Sequence, residues 1–260
     1  MSMLFLAGIL ILLIFLSCGD KGVRSIVSTA LSLLIMLAAI FLIYRGLPPA
    51  AVTLGACALI TGAILYYQNE HGTMARTAFC SVMLVLVIMI PLVFLLARQA
   101  GAYGFNPEEY EITDSNGYTR NVDLNMLQIQ ISVMFIALLG TSIDSAVAVI
   151  SSTGELRAAN PSMGWEPLLR SSMNVGKSIL ATSIHTIFYV YIAEYMTLII
   201  QYLTDYPLRY VLNSQSLAGE LISVSVSGIG CCLTVPVSAV LSVFFLKREA
   251  ANPEKNGRHV

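Results

Sequence analysis

The sequence predicts an all-α fold, a polytopic membrane helix bundle of about seven transmembrane helices with a small external β-hairpin loop. Three observations lead there. Of the 260 residues, 57% are hydrophobic and 11% charged, whereas a soluble domain carries roughly 25% charged residues. The apolar residues fall into continuous runs, most of them near the ~20 residues a helix needs to cross the hydrocarbon. These runs do not alternate apolar with polar, as the strands of a membrane barrel would.

In chain order the expected spans are 3–17, 25–44, 49–67, 77–97, 124–152, 173–203 and 218–246. They make one transmembrane domain over residues 1–246, followed by a cytoplasmic tail, 247–260. The first run is short and has no basic residue before it. A cleaved signal peptide needs a positive start, so the run is expected to be a membrane helix. The fifth and sixth runs exceed one crossing and are expected to tilt or to extend beyond the lipid. Pro91 lies inside the fourth run and Pro236 inside the seventh. Each removes a backbone hydrogen bond and is expected to kink its helix. The five cysteines fall mostly in apolar runs without metal-ligand spacing, so they read as small membrane residues.

Basic residues orient the spans, because they concentrate on the cytoplasmic side. With seven spans, one side holds Lys21, Arg24, Arg76, Arg157, Arg170, Lys177, Lys247, Arg248, Lys255 and Arg258. The other holds Arg45, Arg98, Arg120 and Arg209. The larger group is expected in the cytoplasm with the C-terminus, and the N-terminus outside, in a bacterial plasma membrane. A net charge of -1 offers nucleic acid no basic surface.

Two loops carry content. The outer one, 98–123, is acidic and places Asn116-Gly117 between alternating residues, a hairpin signal. The inner one, 153–172, contains Asn160-Pro161, Gly164-Trp165 and Pro167. Trp165 is expected to anchor at the headgroups.

Asp144 is the residue that most demands a reason. It sits deep in the fifth run, where an ionisable side chain is costly and functional by default. At helical spacing Thr141, Asp144, Ser145, Ala148, Ser151, Ser152 and Glu155 share one small, polar face. Such a face serves either as a packing seam or as a proton or ion site. On the sixth run Asn174, Lys177, Ser178, Ala181 and His185 share a face. Counting 1.5 Å per residue from the cytoplasmic ends, Asp144 lies about 12 Å in and His185 about 16 Å in. A carboxylate and an imidazole at one depth are suited to proton movement near neutral pH. Glu194, half a turn round and nearer the outer surface, is expected to be interfacial and separate from this site. Ser225, Ser227, Gly228 and Gly230 form a small-residue patch before Pro236.

These residues together resemble the YibE/F family of bacterial membrane proteins. The likeness rests on Gly140-Thr-Ser-Ile-Asp144-Ser, Glu155, Asn160-Pro161, Arg170, Asn174-Val-Gly176-Lys177, Thr182, Thr186, Tyr191, Asn213 and Gly228-Ile-Gly230 through Pro236. It covers most of 124–246, and the YibF-like half is the closer fit. The chain departs from the family pattern at Lys177-Ser178, where Arg-Asp is more usual, and at His185, where Asn is. The resemblance implies a transport protein of poorly defined solute that pairs with a YibE-like membrane protein.

Two functional readings follow. The first is a proton- or cation-coupled permease subunit, with Asp144 as coupling group and His185, Lys177, Asn174, Thr141, Ser145 and Thr182 around it. The second is a non-conducting scaffold subunit whose polar face is a seam with a YibE-like protein or with a second copy. An enzyme is not expected: the chain has no His-Glu-x-x-His, no Gly-x-Ser-x-Gly and no second deep aspartate. Neither a cofactor nor a metal is expected.

Overall fold

The computed structural model describes residues 2–68, 72–101, 125–212 and 214–250. All the regular structure within them is helical: α1 (Ser2–Tyr44), α2 (Pro49–Gln68), α3 (Gly72–Ala100), α4 (Met126–Ala159), α5 (Trp165–Asp205), the short α6 (Leu208–Leu212) and α7 (Gln215–Ala250). Among the described residues six helices are long and apolar enough to cross a membrane. The first two expected runs, 3–17 and 25–44, both fall in α1, on either side of Gly19. No loop separates them. The only break is Gly19, whose backbone (φ 54°, ψ -131°) is not helical. Beyond it, a side chain at Gly22 would meet Ile14 and Cys18. Residues eight apart in a straight helix stand about 12 Å apart, so the chain bends sharply at Gly19. A one-residue bend escapes a reading based on apolar runs, which left residues 18–24 between the first two spans.

The inner loop is corrected as well. α4 runs on to Ala159 and α5 begins at Trp165, leaving residues 160–164 as the connection. Arg157 closes it by donating to the carbonyl of Met163 at 2.6 Å. Pro167 falls in the first turn of α5, where its missing N–H costs nothing. The expected hairpin falls on residues 102–124, outside the described residues, and α3 continues through Arg98 to Ala100. At the start of α4, Asn125 caps the helix by accepting from the Gln128 amide at 3.2 Å. Pro91 and Pro236 both lie inside helices that continue past them.

α4 is the central element and packs against α2, α3, α5 and α7. Its buried residues Ile131, Met134, Phe135, Leu138 and Leu139 recur every three to four positions, the spacing of a core-facing helix. They meet Val82, Val85, Met89 and Val93 of α3 and Leu65 of α2 in one apolar core. α1 packs along α2 at the edge of the bundle.

The side of α4 away from α3 builds the site. Gln130 of α4 donates to the Gly219 carbonyl and the Ser223 hydroxyl of α7, each at 3.4 Å. Further along, Ser145 meets Cys231 at 3.0 Å. Numbers rise together, so α4 and α7 run parallel. α5 runs against both: Thr153 bonds Ser172 near one end, and Tyr191 donates to the Leu217 carbonyl at 3.1 Å near the other. Gly230 and Gly176 permit the closeness. A Cβ at Gly230 would strike Leu138 of α4, and one at Gly176 would strike Val235 of α7. Small residues at helix crossings are how membrane helices approach each other without a hydrophobic driving force.

Candidate functional site

Between α4, α5 and α7 lies a cavity of about 480 Å³. Asp144 and Thr141 of α4, Thr182, Ser183 and Thr186 of α5, and Ser223 and Ser227 of α7 line it. Two further carboxylates, Glu194 of α5 and Glu220 of α7, line the same space. Ala137, Ile187, Val190 and Val224 supply apolar wall.

The depth of each group follows from the helix contacts. Thr141 lies within 3.5 Å of the Ser227 carbonyl, and Asp144 follows one turn on. Glu220 is seven residues before Ser227 on α7, about 10 Å along the axis. The cavity therefore runs lengthwise through the bundle, with Asp144 toward one end and Glu194 and Glu220 toward the other. Tyr195, Glu220 and Glu194 lie close enough together to act electrostatically on one another. The carboxylates are spaced along the path: among the described residues, no three His, Cys, Asp or Glu side chains converge where a metal ion would sit.

The hydroxyls have a common orientation. Thr141 donates to the Leu138 carbonyl at 3.1 Å, Thr182 to Ile179 at 2.8 Å and Thr186 to Thr182 at 3.0 Å. On α7, Ser223 donates to Gly219 at 3.1 Å and Ser227 to Ser223 at 2.9 Å. A hydroxyl has one proton and two lone pairs. With the protons committed to the helices, what these five groups have left to offer a visitor is lone pairs.

The structure sorts the residues singled out in the sequence. Asp144, Thr141 and Thr182 come together at the cavity. Ser145 turns the other way and is buried in the α4–α7 contact against Cys231. His185 is exposed beside the cavity and does not line it; its ring stands 6.4 Å from that of Tyr189. Asn174 and Lys177 are also exposed and lie outside the cavity, nearer the start of α5. Glu194 is a correction, since it shares the cavity with Asp144. Its half-turn offset from His185 turns it into the bundle, because the inward face of α5 is the one opposite His185. Sequence reasoning missed Glu220 altogether. Its signal was the one that exposed Asp144, a carboxylate inside an apolar run, here close to the start of the last run.

A family model described as YibE/F-like protein matches residues 6–248, nearly the whole chain. The chain belongs to the YibE/F family. No curated protein and no solved structure matches it. In this YibE/F chain the residues behind the resemblance serve two purposes. Gly176 and Gly230 are contact points that set α5 and α4 against α7. Asp144, Thr182, Thr186 and Tyr191 face the cavity those contacts leave open.

Proposed function

We propose that this protein is a proton- or cation-coupled membrane permease subunit, with Asp144 as its coupling group. One observation carries the reading: three carboxylates from three helices, Asp144, Glu194 and Glu220, line one cavity among hydroxyl-bearing residues. Such a wall attracts protons and cations and repels anions. Carboxylates at successive depths inside a helix bundle form a relay in which each needs to hold its cation only briefly. Asp144 is the deepest of the three, and Glu194 and Glu220 form the entrance toward the side expected outside. The basic-residue count still assigns the C-terminus to the cytoplasm, since dropping the first span leaves the later ones unchanged.

The test uses the full chain in sealed vesicles carrying an internal pH dye. An imposed pH or cation gradient should collapse at a rate set by the protein. Asp144→Asn should slow that collapse at least tenfold while membrane insertion stays the same. A variant that conducts like the parent ends the proposal.

A second reading, a scaffold subunit, is favoured by the outward face of α5. Asn174, Lys177, Ser178 and His185 are all exposed there, within a membrane span. Lipid is a poor neighbour for that face, and a partner helix a good one. Under this reading Asp144→Asn would leave gradients alone and disturb assembly.

A further inference from the structure

The cavity between α4, α5 and α7 is long, and its charge gathers at two ends. Ser145 of α4 meets Cys231 of α7 at 3.0 Å, which fixes these two helices in depth. Asp144 is the residue before Ser145, and Glu220 stands eleven residues before Cys231. At 1.5 Å per residue the two carboxylates are therefore about 15 Å apart along the axis. Glu194 of α5 is close enough to Glu220 to act on it electrostatically, so it belongs to the same end. Apolar side chains line the stretch between. Counting toward the middle, Ala137 lies two turns from Asp144, Val224 one turn from Glu220, and Val190 and Ile187 one and two turns from Glu194. Tyr191 adds aromatic surface near the two glutamates, held where its hydroxyl donates to the Leu217 carbonyl at 3.1 Å. The space is about 480 Å³, in the range of pockets for small organic ligands.

We propose that this cavity takes linear aliphatic diamines and polyamines, with one terminal ammonium at Asp144 and the other beside Glu194 and Glu220. The methylene chain lies along Ala137, Ile187, Val190 and Val224. The inference rests on the permease reading and names the solute for it. A bare inorganic cation has no use for the apolar wall. A monoamine meets one charged end of the space and leaves the other without a counter-charge. A dication with an apolar middle matches both ends and the wall between them. A fully extended chain advances about 1.2 Å per bond, since a three-bond residue spans about 3.6 Å, so about twelve bonds join the two ends. Thr141, Ser223 and Ser227 also lie between the ends, where the inner ammonium of a polyamine would find hydroxyl lone pairs.

The test is equilibrium binding of terminal diaminoalkanes to the full chain in lipid nanodiscs, with binding to empty nanodiscs subtracted. Diamines of about four, eight, ten and twelve carbons are each compared with the monoamine of equal length. The advantage over the monoamine is read, because a longer chain binds any apolar surface better. That advantage should be at least tenfold for the ten- and twelve-carbon chains and nearly absent for four carbons, which cannot reach both ends. Asp144→Asn should reduce it to within about threefold of none, and Glu220→Gln should reduce it several-fold, with Glu194 left at that end. Should one variant fail to fold, the other and the length series on the parent chain decide. No binding, an advantage that does not grow with length, or one that survives Asp144→Asn would each overturn the proposal. No gradient is applied, so the two readings fail separately. A chain that collapses gradients without this length dependence loses the diamine and keeps the permease, and a chain that binds long diamines without moving protons does the reverse.

Discussion

Asp144 and Ser145 are neighbours in sequence with opposite fates. Asp144 opens on a cavity, whereas Ser145 is buried against Cys231 at 3.0 Å. Both belong to the one polar face read from helical spacing, which is packing seam and cavity wall at once. Ser145→Ala should cost about 0.5–1.5 kcal/mol, the usual net worth of one hydrogen bond, and should leave gradient collapse unchanged. Glu220→Gln should slow the collapse several-fold, because it removes a carboxylate from the far end of the cavity. Thermal unfolding in detergent checks the first, and the vesicle assay the second. The hydroxyls elsewhere in the spans are a warning against reading every polar residue as a site. Thr61 donates to the Cys57 carbonyl at 2.6 Å and Ser81 to Thr77 at 2.8 Å. Each is satisfied within its own helix, as serine and threonine commonly are in membrane spans.

At the scale of elements, the close approaches at Gly176 and Gly154 differ in how much they can yield. Gly176→Ala would press a methyl into Val235, a β-branched side chain that is 2% exposed and stiff about its first torsion. Gly154→Ala would meet only the methyl end of Met74, a flexible chain that can swing aside. Gly176→Ala should therefore destabilise by about 1–3 kcal/mol and Gly154→Ala by clearly less, as compared by thermal unfolding in one detergent. Gly19 is a different case, since its positive φ belongs to a region side chains avoid. Gly19→Ala should cost about 1–3 kcal/mol of local strain and straighten α1, which a distance measurement between spin labels on its two halves would detect.

The whole molecule presents lipid with a largely apolar surface. Phe5, Leu6 and Leu16 of α1 are each more than 60% exposed, which suits hydrocarbon and not water. α5 is the other peripheral span: 11% of its most apolar stretch is buried, against 56% for α4. α1 is buried to the same extent, but its apolar side chains suit lipid, whereas α5 exposes Asn174, Lys177, Ser178 and His185 and so needs a neighbour more. The number of crossings also bears on orientation. Seven crossings put the two termini on opposite sides, whereas six, with α1 crossing once despite its bend at Gly19, put both on one side. Tags at the two ends tell these apart: protease reaches both from one face for six crossings and from opposite faces for seven.

The sequence by itself determined the solvent and the secondary structure. Apolar runs of span length admit only helices, because hydrocarbon leaves no other partner for the backbone. It also determined that Asp144 needed a reason, since the cost of a carboxylate in lipid depends on depth and is legible in one dimension. Tertiary structure decided which groups share a space. Asp144, Glu194 and Glu220 come from three helices and are up to 76 positions apart in the chain. Only the close contacts at Gly176 and Gly230, and the parallel course of α4 and α7, bring them to one cavity. Depth placed His185 level with Asp144, but the side to which each points depends on how the helices are rotated against one another. That rotation is fixed by packing between side chains distant in sequence, which helical periodicity within a single run does not specify.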